Sequence, residues 1–273
     1  MANRAEERGS ALAVLRELHD QAELTLLDQE PPRLEDELDP ITEEVSAWER
    51  EGMHLISVLD PDYPENLRTV HDRPPMLFVR GQLRPEDARS VAIVGTRNAS
   101  QRGLEQAEDA ARQFVEAEFV VVSGLAAGVD TAAHRGALDA SGRTIAVIGT
   151  GLRRSYPRHN AALQRELGER SAVVSQFWPD QPPGKHTFPM RNAVMSGIAL
   201  ATLVVEASHT SGARMQARIA LEHGKPVFLL ESLLEHEWAR DYSGRPGVYV
   251  VATADEAVGR LEQLYSYDVA LVA

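Results

Sequence analysis

The feature that most constrains this chain is a regular alternation, from residue 91 to residue 252, of short apolar runs with longer amphipathic segments. The runs are Val91–Gly95, Phe119–Ser123, Thr144–Gly149, Ala172–Phe177, Ala201–Ala207, Pro226–Leu230 and Gly247–Ala252. Most are near-continuous Val, Ile and Leu, the pattern of strands buried on both faces. The intervening segments have helical periodicity: Leu104, Ala107, Ala111, Phe114 and Val115 fall on one face. Strand and helix in alternation predict an α/β chain with a doubly wound, mostly parallel sheet. Upstream, His54–Leu59 and Met76–Arg80 add two strand candidates, separated by Tyr63-Pro64 and Pro74-Pro75, which stop helices.

The front of the chain has a different texture. Leu12, Leu15, Leu18, Ala22 and Leu26 have roughly helical spacing within residues 8–28. Residues 29–40 (QEPPRLEDELDP) read as an acidic linker, and 41–51 as a short helix with Thr42 as its cap. The expected organisation is a small helical appendage over 1–50 and one large domain over 51–273. The formal net charge of −13 is unevenly spread: residues 1–50 hold 14 acids and 5 bases, whereas 91–225 hold 15 Lys/Arg and 12 Asp/Glu. That balance permits a local phosphate site in the core but not a broad basic face. An acidic front folded near such a site would repel phosphates. The absence of Cys excludes disulfides and thiolate metal sites. No run is long enough to span a bilayer, and MANRAEERGS lacks the apolar core of a signal peptide, so the cytoplasm is expected.

Ligands of doubly wound sheets bind beyond the carboxyl ends of the strands. The first such loop, Gly95-Thr96-Arg97-Asn98, pairs a glycine turn with a cation; Arg97 is either a phosphate contact or an exposed turn residue. In Ser123-Gly-Leu-Ala-Ala-Gly-Val-Asp130, small residues could form an anion nest. Asp130 reads as an N-cap, and His134 as a packed imidazole rather than its catalytic partner. Gly149-Thr-Gly151 starts like a dinucleotide motif, but Arg154 stands where the last glycine would be. The Pro/Gly-rich stretch 175–192 brings Trp178, Lys185, Phe188, Arg191 and Asn192, the cations and aromatics that single-stranded nucleic acid requires. In Glu206–Arg214, Ser211-Gly212 opens a helix, and Glu206 reads as an anchor for nearby donors. No HExxH, P-loop, GxSxG or other catalytic constellation occurs, and no cofactor or metal is implied.

Together these blocks resemble the DNA-processing protein A (DprA/Smf) family. The resemblance covers roughly 60–230 and rests on Tyr63-Pro-Glu-Asn-Leu67, Pro74-Pro-Met-Leu-Phe-Val-Arg-Gly81, Ala92-Ile-Val-Gly-Thr-Arg97, Ser123–Asp130 with Ala133-His134, Tyr156-Pro157 with Asn160, Phe188-Pro-Met-Arg-Asn192, Val204-Val-Glu-Ala207 and Ser211-Gly212. The helix after Ser211-Gly212 carries a Thr-Ala pair in the family; here it reads Arg214-Met-Gln-Ala-Arg218. The resemblance implies an extended Rossmann-like fold and a homodimer. It also implies binding of single-stranded DNA without base specificity, and delivery of that strand to a RecA-type recombinase during recombination and natural transformation. It carries over as DNA- or phosphate-binding candidates Gly95, Arg97, Ser123, Gly124, Lys185, Phe188, Arg191, Asn192, Ser211 and Gly212.

The same loops would also suit a Rossmann-like nucleotide sensor or a nucleotide-processing enzyme. The PGGxGTxxE motif of the phosphoribohydrolases is absent, which counts against that chemistry. An interaction scaffold with an empty pocket is disfavoured by the cations and glycine loops above.

Overall fold

The computed structural model describes residues 34–272 apart from 209 and 210; the helix expected over 8–28 lies outside them. Helix α1 (Leu34–Arg50) leads into β1 (Met53–Ser57), the single turn α2 (Glu65–Arg68) and β2 (Met76–Gly81). Leu34–Pro40 therefore belongs to a helix and not to the expected linker, and Thr42 lies inside that helix rather than at its cap. Near its carboxyl end, buried Trp48 meets Phe78 edge-on at 5.1 Å between ring centroids.

The alternating region follows as β3 (Ser90–Val94), α3 (Gln101–Glu116), β4 (Val120–Ser123), α4 (Val129–Asp139), β5 (Thr144–Val147), α5 (Ala161–Arg170), β6 (Ala172–Ser175) and α6 (Thr187–Ile198). It continues through β7 (Ala201–Val204), α7 (Gly212–Glu222), β8 (Val227–Leu230), α8 (Glu237–Ser243), β9 (Val248–Val251) and α9 (Ala254–Val272). The nine strands of the described residues join one sheet in the order β1-β2-β6-β5-β4-β3-β7-β8-β9. The seven from β6 to β9 are parallel; β2 pairs antiparallel with both β1 and β6. The expected α/β doubly wound architecture is thus observed, with an N-terminal helix packed on it.

Side-chain alternation divides the core into two layers. Val91 and Ile93 of β3 face Ala107 and Phe114 of α3, Ala133 of α4 and Ala257 of α9. Ala92 and Val94 face the opposite side, with Val194 and Ile198 of α6, Ala217 of α7 and Trp238 of α8. Burial on both faces explains why the strands read as unbroken apolar runs.

The chain order reverses between β3 and β7: β4, β5 and β6 lie to one side, β8 and β9 to the other. The loops leaving β3 and β7 therefore diverge to opposite faces and leave a crevice, the usual ligand position in such sheets. Other motifs serve as structural corners. Tyr63 Oη donates to the Pro74 carbonyl at 2.6 Å, and Asn66 Nδ2 donates to the carbonyls of Ala88 at 2.7 Å and Ile198 at 2.9 Å. Asn160 Nδ2 reaches the Leu125 carbonyl at 2.9 Å and Thr131 Oγ1 at 2.8 Å, pinning the loop after β4.

Candidate functional site

The loop after β3 is held from both sides. The Thr96 amide donates to the Glu206 carbonyl at 2.6 Å, and the Thr96 carbonyl accepts from the Val129 amide at 3.3 Å. Gly128, at φ +76°, makes this packing possible, because a β-carbon there would overlap the carbonyls of Thr96 and Arg97. The Glu206 carboxylate accepts from the Ser100 hydroxyl at 2.8 Å and the Ser100 amide at 3.1 Å, at the start of α3. It is the anchor expected of it. Ser211 caps α7, accepting from the Ala213 amide at 3.2 Å.

Above these turns lies a cavity of about 420 Å³ at the β3/β7 switch point. Gly95, Arg97, Phe188, Arg191, Asn192, Ser211 and Gly212 all line it, so seven of the ten expected residues converge there. A second cavity of about 230 Å³ adjoins it over β4 and β5, lined by Gly124, Gly149, Thr150, Tyr156 and Pro157. Arg97, Asn98, Ala126, Phe188 and Arg191 border both.

Arg97 and Arg191 share these walls but differ in state. Arg97 is exposed, with its guanidinium 5.1 Å from the centroid of the Phe188 ring. The other neighbour of Phe188 is the exposed Tyr156, at 5.6 Å between ring centroids. Arg191 is buried, with Nη1 3.7 Å from Asp130 Oδ2 and 3.4 Å from the Val147 carbonyl. Gly124 is required here because any β-carbon would overlap that guanidinium. Burial pushes the Asp130 carboxyl up and the Arg191 guanidinium down, while their mutual attraction opposes both shifts.

Four expectations need correction. Asp130 is not the N-cap of α4: Gly128 holds that position, and the Asp130 carboxylate pairs with Arg191 and accepts from the Ala126 amide at 3.3 Å. Ser123 does not reach the cavity surface; it is fully buried, and its hydroxyl donates to the Ile93 carbonyl at 2.7 Å, linking β4 to β3. Lys185 lines neither cavity and is exposed on the outside of a turn closed by the Gly184 amide on Thr187 Oγ1 at 3.1 Å. Trp178 lines neither cavity; half-buried, it packs against Trp48 at 5.6 Å and Phe78 at 5.7 Å.

His134 is the packed imidazole expected. Its Nδ1 lies 2.7 Å from Thr144 Oγ1, whose hydroxyl donates to the Val121 carbonyl at 2.9 Å, so Nδ1 carries the hydrogen. Burial pushes its pKa down to about 3, and the Arg191 charge adds to that shift. Sequence reasoning missed Asn98, Asp130 as the partner of Arg191, Met195 and Gln216 among the lining. Only Gln216 left a local trace, one turn into the helix that Ser211 caps. Elsewhere, His71, Asp72 and His223 bring ligand-type atoms within 4.8 Å of one another. That cluster sits at the carboxyl end of α6, where His223 Nδ1 lies 3.0 Å from Ser196 Oγ, and takes no part in the cavities. No helix among the described residues is long and apolar enough to cross a membrane.

Comparison with known proteins agrees with this geometry. The family model for DNA recombination-mediator protein A matches residues 54–243. The DNA processing protein DprA of Streptococcus pneumoniae is 42% identical over 64% of this chain and 61% of its own length. That of Bacillus subtilis is 31% identical over 81% of this chain and 73% of its own length, while the chain spans half of protein Smf of Escherichia coli. The crystal structure of the pneumococcal protein superposes with a TM-score of 0.69 at 35% identity, covering 78% of this chain and 77% of that one. DNA processing protein A of Helicobacter pylori shares the fold, with a TM-score of 0.68 at 24% identity, over 77% of this chain and 96% of that one. The chain belongs to the DNA recombination-mediator protein A family.

Proposed function

We propose that this protein binds single-stranded DNA along the carboxyl edge of its sheet and serves recombination of incoming DNA by presenting that strand to a RecA-type recombinase. The observation that carries this reading is the common wall of the two cavities. It offers an exposed cation, Arg97, without an ion pair among the described residues, against Phe188, with Tyr156 beside it. Cation plus aromatic is what a flexible strand needs, since one contacts phosphate and the other stacks a base. The amino end of α7 at Ser211-Gly212 adds backbone amides suited to an anion.

Catalysis is not part of the proposal. Asp130 is tied to Arg191, His134 is buried and neutral, and Glu206 holds the start of α3, so each candidate acid or base has a structural task. Homodimerisation belongs to the same reading. Edge strand β9 pairs only with β8 and leaves its outer edge without a strand partner among the described residues. Light scattering across micromolar concentrations is expected to give twice the monomer mass, and a monomer throughout would remove that part.

Fluorescence anisotropy with labelled oligodeoxynucleotides tests the central reading. Affinity should rise with strand length and fall with salt. Tight binding of a mononucleotide, with no gain on lengthening, would replace the polymer ligand by a small nucleotide.

A further inference from the structure

His71, Asp72 and His223 form a side-chain cluster that the DNA reading does not use. His71 and Asp72 are neighbours in the turn between α2 and β2, and His223 follows α7 directly as its C-cap. The fold brings them together. At Gly197, in the last turn of α6, a β-carbon would overlap the Leu67 side chain, so the segment after α2 lies tight against the end of that helix. Just beyond the turn, Tyr63 Oη holds the Pro74 carbonyl at 2.6 Å. His223 is fixed from α6, its Nδ1 lying 3.0 Å from Oγ of buried Ser196. The His223 side chain is 1% exposed, and its Nε2 lies 2.9 Å from Asp72 Oδ1. His71 stands edge-on to the same ring at 5.6 Å between centroids. One ligand-type atom from each of the three residues then falls within 4.8 Å of the others.

Two imidazoles and a carboxylate are the donor set of a transition ion, not of calcium or magnesium, which take oxygen ligands. Zinc binds such nitrogens at about 2.0–2.1 Å and carboxylate oxygens at about 2.0–2.2 Å, which sets neighbouring ligand atoms about 3.3 Å apart in a tetrahedron. Asp72 and His223 therefore need to part by only a few tenths of an ångström, and exposed His71 closes the third position by turning its side chain. Ser196 supplies the outer hydrogen bond that metal-ligating histidines carry: with the ion on Nε2, Nδ1–H donates to Oγ. The cluster also lies at the carboxyl ends of α6 and α7, where both helix dipoles favour a cation. Lys225 Nζ already occupies this field, on the carbonyls of Ser196, Gly197 and Ala199. Its charge repels a second cation, and the Asp72 carboxylate offsets that repulsion.

We propose that His71, Asp72 and His223 bind one zinc-class transition ion, with water in the fourth position, and that the ion ties the α2–β2 turn to the carboxyl ends of α6 and α7. The site does not depend on the DNA reading. It braces from behind the two helices whose amino ends carry Arg191, Asn192 and Gly212 to the cavity.

The test uses the full chain without a histidine tag, freed of metal by a chelator, with Co²⁺ as a spectroscopic probe and Zn²⁺ as the stabilising ion. Co²⁺ is expected to give visible absorption that saturates at one equivalent per chain and disappears when Zn²⁺ is added. His71→Ala, at an exposed position, and Asp72→Asn, which keeps an acceptor beside Nε2, are expected to lose that absorption, with metal-free melting temperatures near wild type. Ser196→Ala is expected to weaken Zn²⁺ binding roughly tenfold. Zn²⁺ at a hundredfold excess over its dissociation constant is expected to raise the wild-type melting temperature by about 5 °C and to leave His71→Ala unmoved. Binding that persists in both His71→Ala and Asp72→Asn would place the ion on other side chains and overturn the proposal. Wild-type protein that shows no saturable binding would overturn it too, and that arm needs no variant to fold. Zn²⁺ that binds the cluster without raising the wild-type melting temperature would overturn the brace.

Discussion

The two ends of α6 each hold a cation, half-buried Lys225 and buried Arg191, in opposite conditions. At the carboxyl end, Lys225 Nζ donates to the carbonyls of Ser196 at 2.9 Å, Gly197 at 2.6 Å and Ala199 at 2.6 Å. Burial pushes its pKa down to about 7, while three acceptors at the negative end of a helix dipole oppose that shift. Near the amino end, Arg191 lies where the dipole disfavours a cation; its Asp130 contact is long at 3.7 Å, and its Nε has no partner. A saturated cation closes a structure, whereas an unsaturated one beside a cavity leaves room for an anionic ligand. On the reading proposed above, the carboxyl edge of the sheet is the working edge, while the opposite edge is closed by Lys225.

The largest effect should come from splitting the Arg191 pair. Arg191→Ala or Asp130→Ala leaves a lone buried charge and is expected to cost about 3–5 kcal/mol of stability in denaturant unfolding. A double Asp130→Leu/Arg191→Leu protein should regain much of this stability while losing DNA affinity. If either single variant were as stable as wild type, the pair would not be the strut described here. Next comes pH. His134 is held near 3, below its unfolded value of about 6.5, so the unfolded state takes up more protons between those values. Stability contributed by the neutral ring is present above about pH 6.5 and is lost on acidification, by roughly 1 kcal/mol per pH unit within that window. His134→Leu should flatten the dependence, and an unchanged slope would contradict the buried, neutral assignment. At the sealed end, Lys225→Met keeps the apolar stem but leaves three carbonyls without their donor. A loss of about 1–3 kcal/mol is expected, with DNA affinity intact; reduced affinity in a folded protein would blur the contrast between the two edges. Smallest is Arg153→Ala, which removes exposed bridges to Glu51 at 2.7 Å and Asp180 at 2.5 Å and should cost under about 1 kcal/mol.

The inner strands were legible in the sequence because burial on both faces leaves continuous apolar runs that survive without any knowledge of partners, whereas the half-buried edge strands β1 and β9 showed only as short apolar stretches. The switch point was legible only as a rule about where to look. Turn residues announced themselves through chemistry, as with Ser211 and Gly128, yet the Asp130–Arg191 pair joins residues far apart in sequence, and nothing local distinguishes Asp130 from an N-cap. Ser123 and Trp178 misled for a related reason: a hydroxyl after a strand and an aromatic in a Pro-rich loop read the same whether they face solvent or core. The start of α1 was obscured by Pro40, a residue that argues against a helix interior yet lies inside this one.

Arg97 tests the central claim most directly, because it is exposed and has no ion pair among the described residues, so its loss should spare the fold. Arg97→Ala should leave thermal unfolding near wild type. In an anisotropy titration across salt, single-stranded DNA affinity should fall roughly tenfold for every base sequence. The slope of log affinity against log salt should shrink by about 0.7, one phosphate contact on a single strand. A folded Arg97→Ala protein that keeps wild-type affinity and an unchanged salt slope would contradict the placement of the DNA strand on this edge.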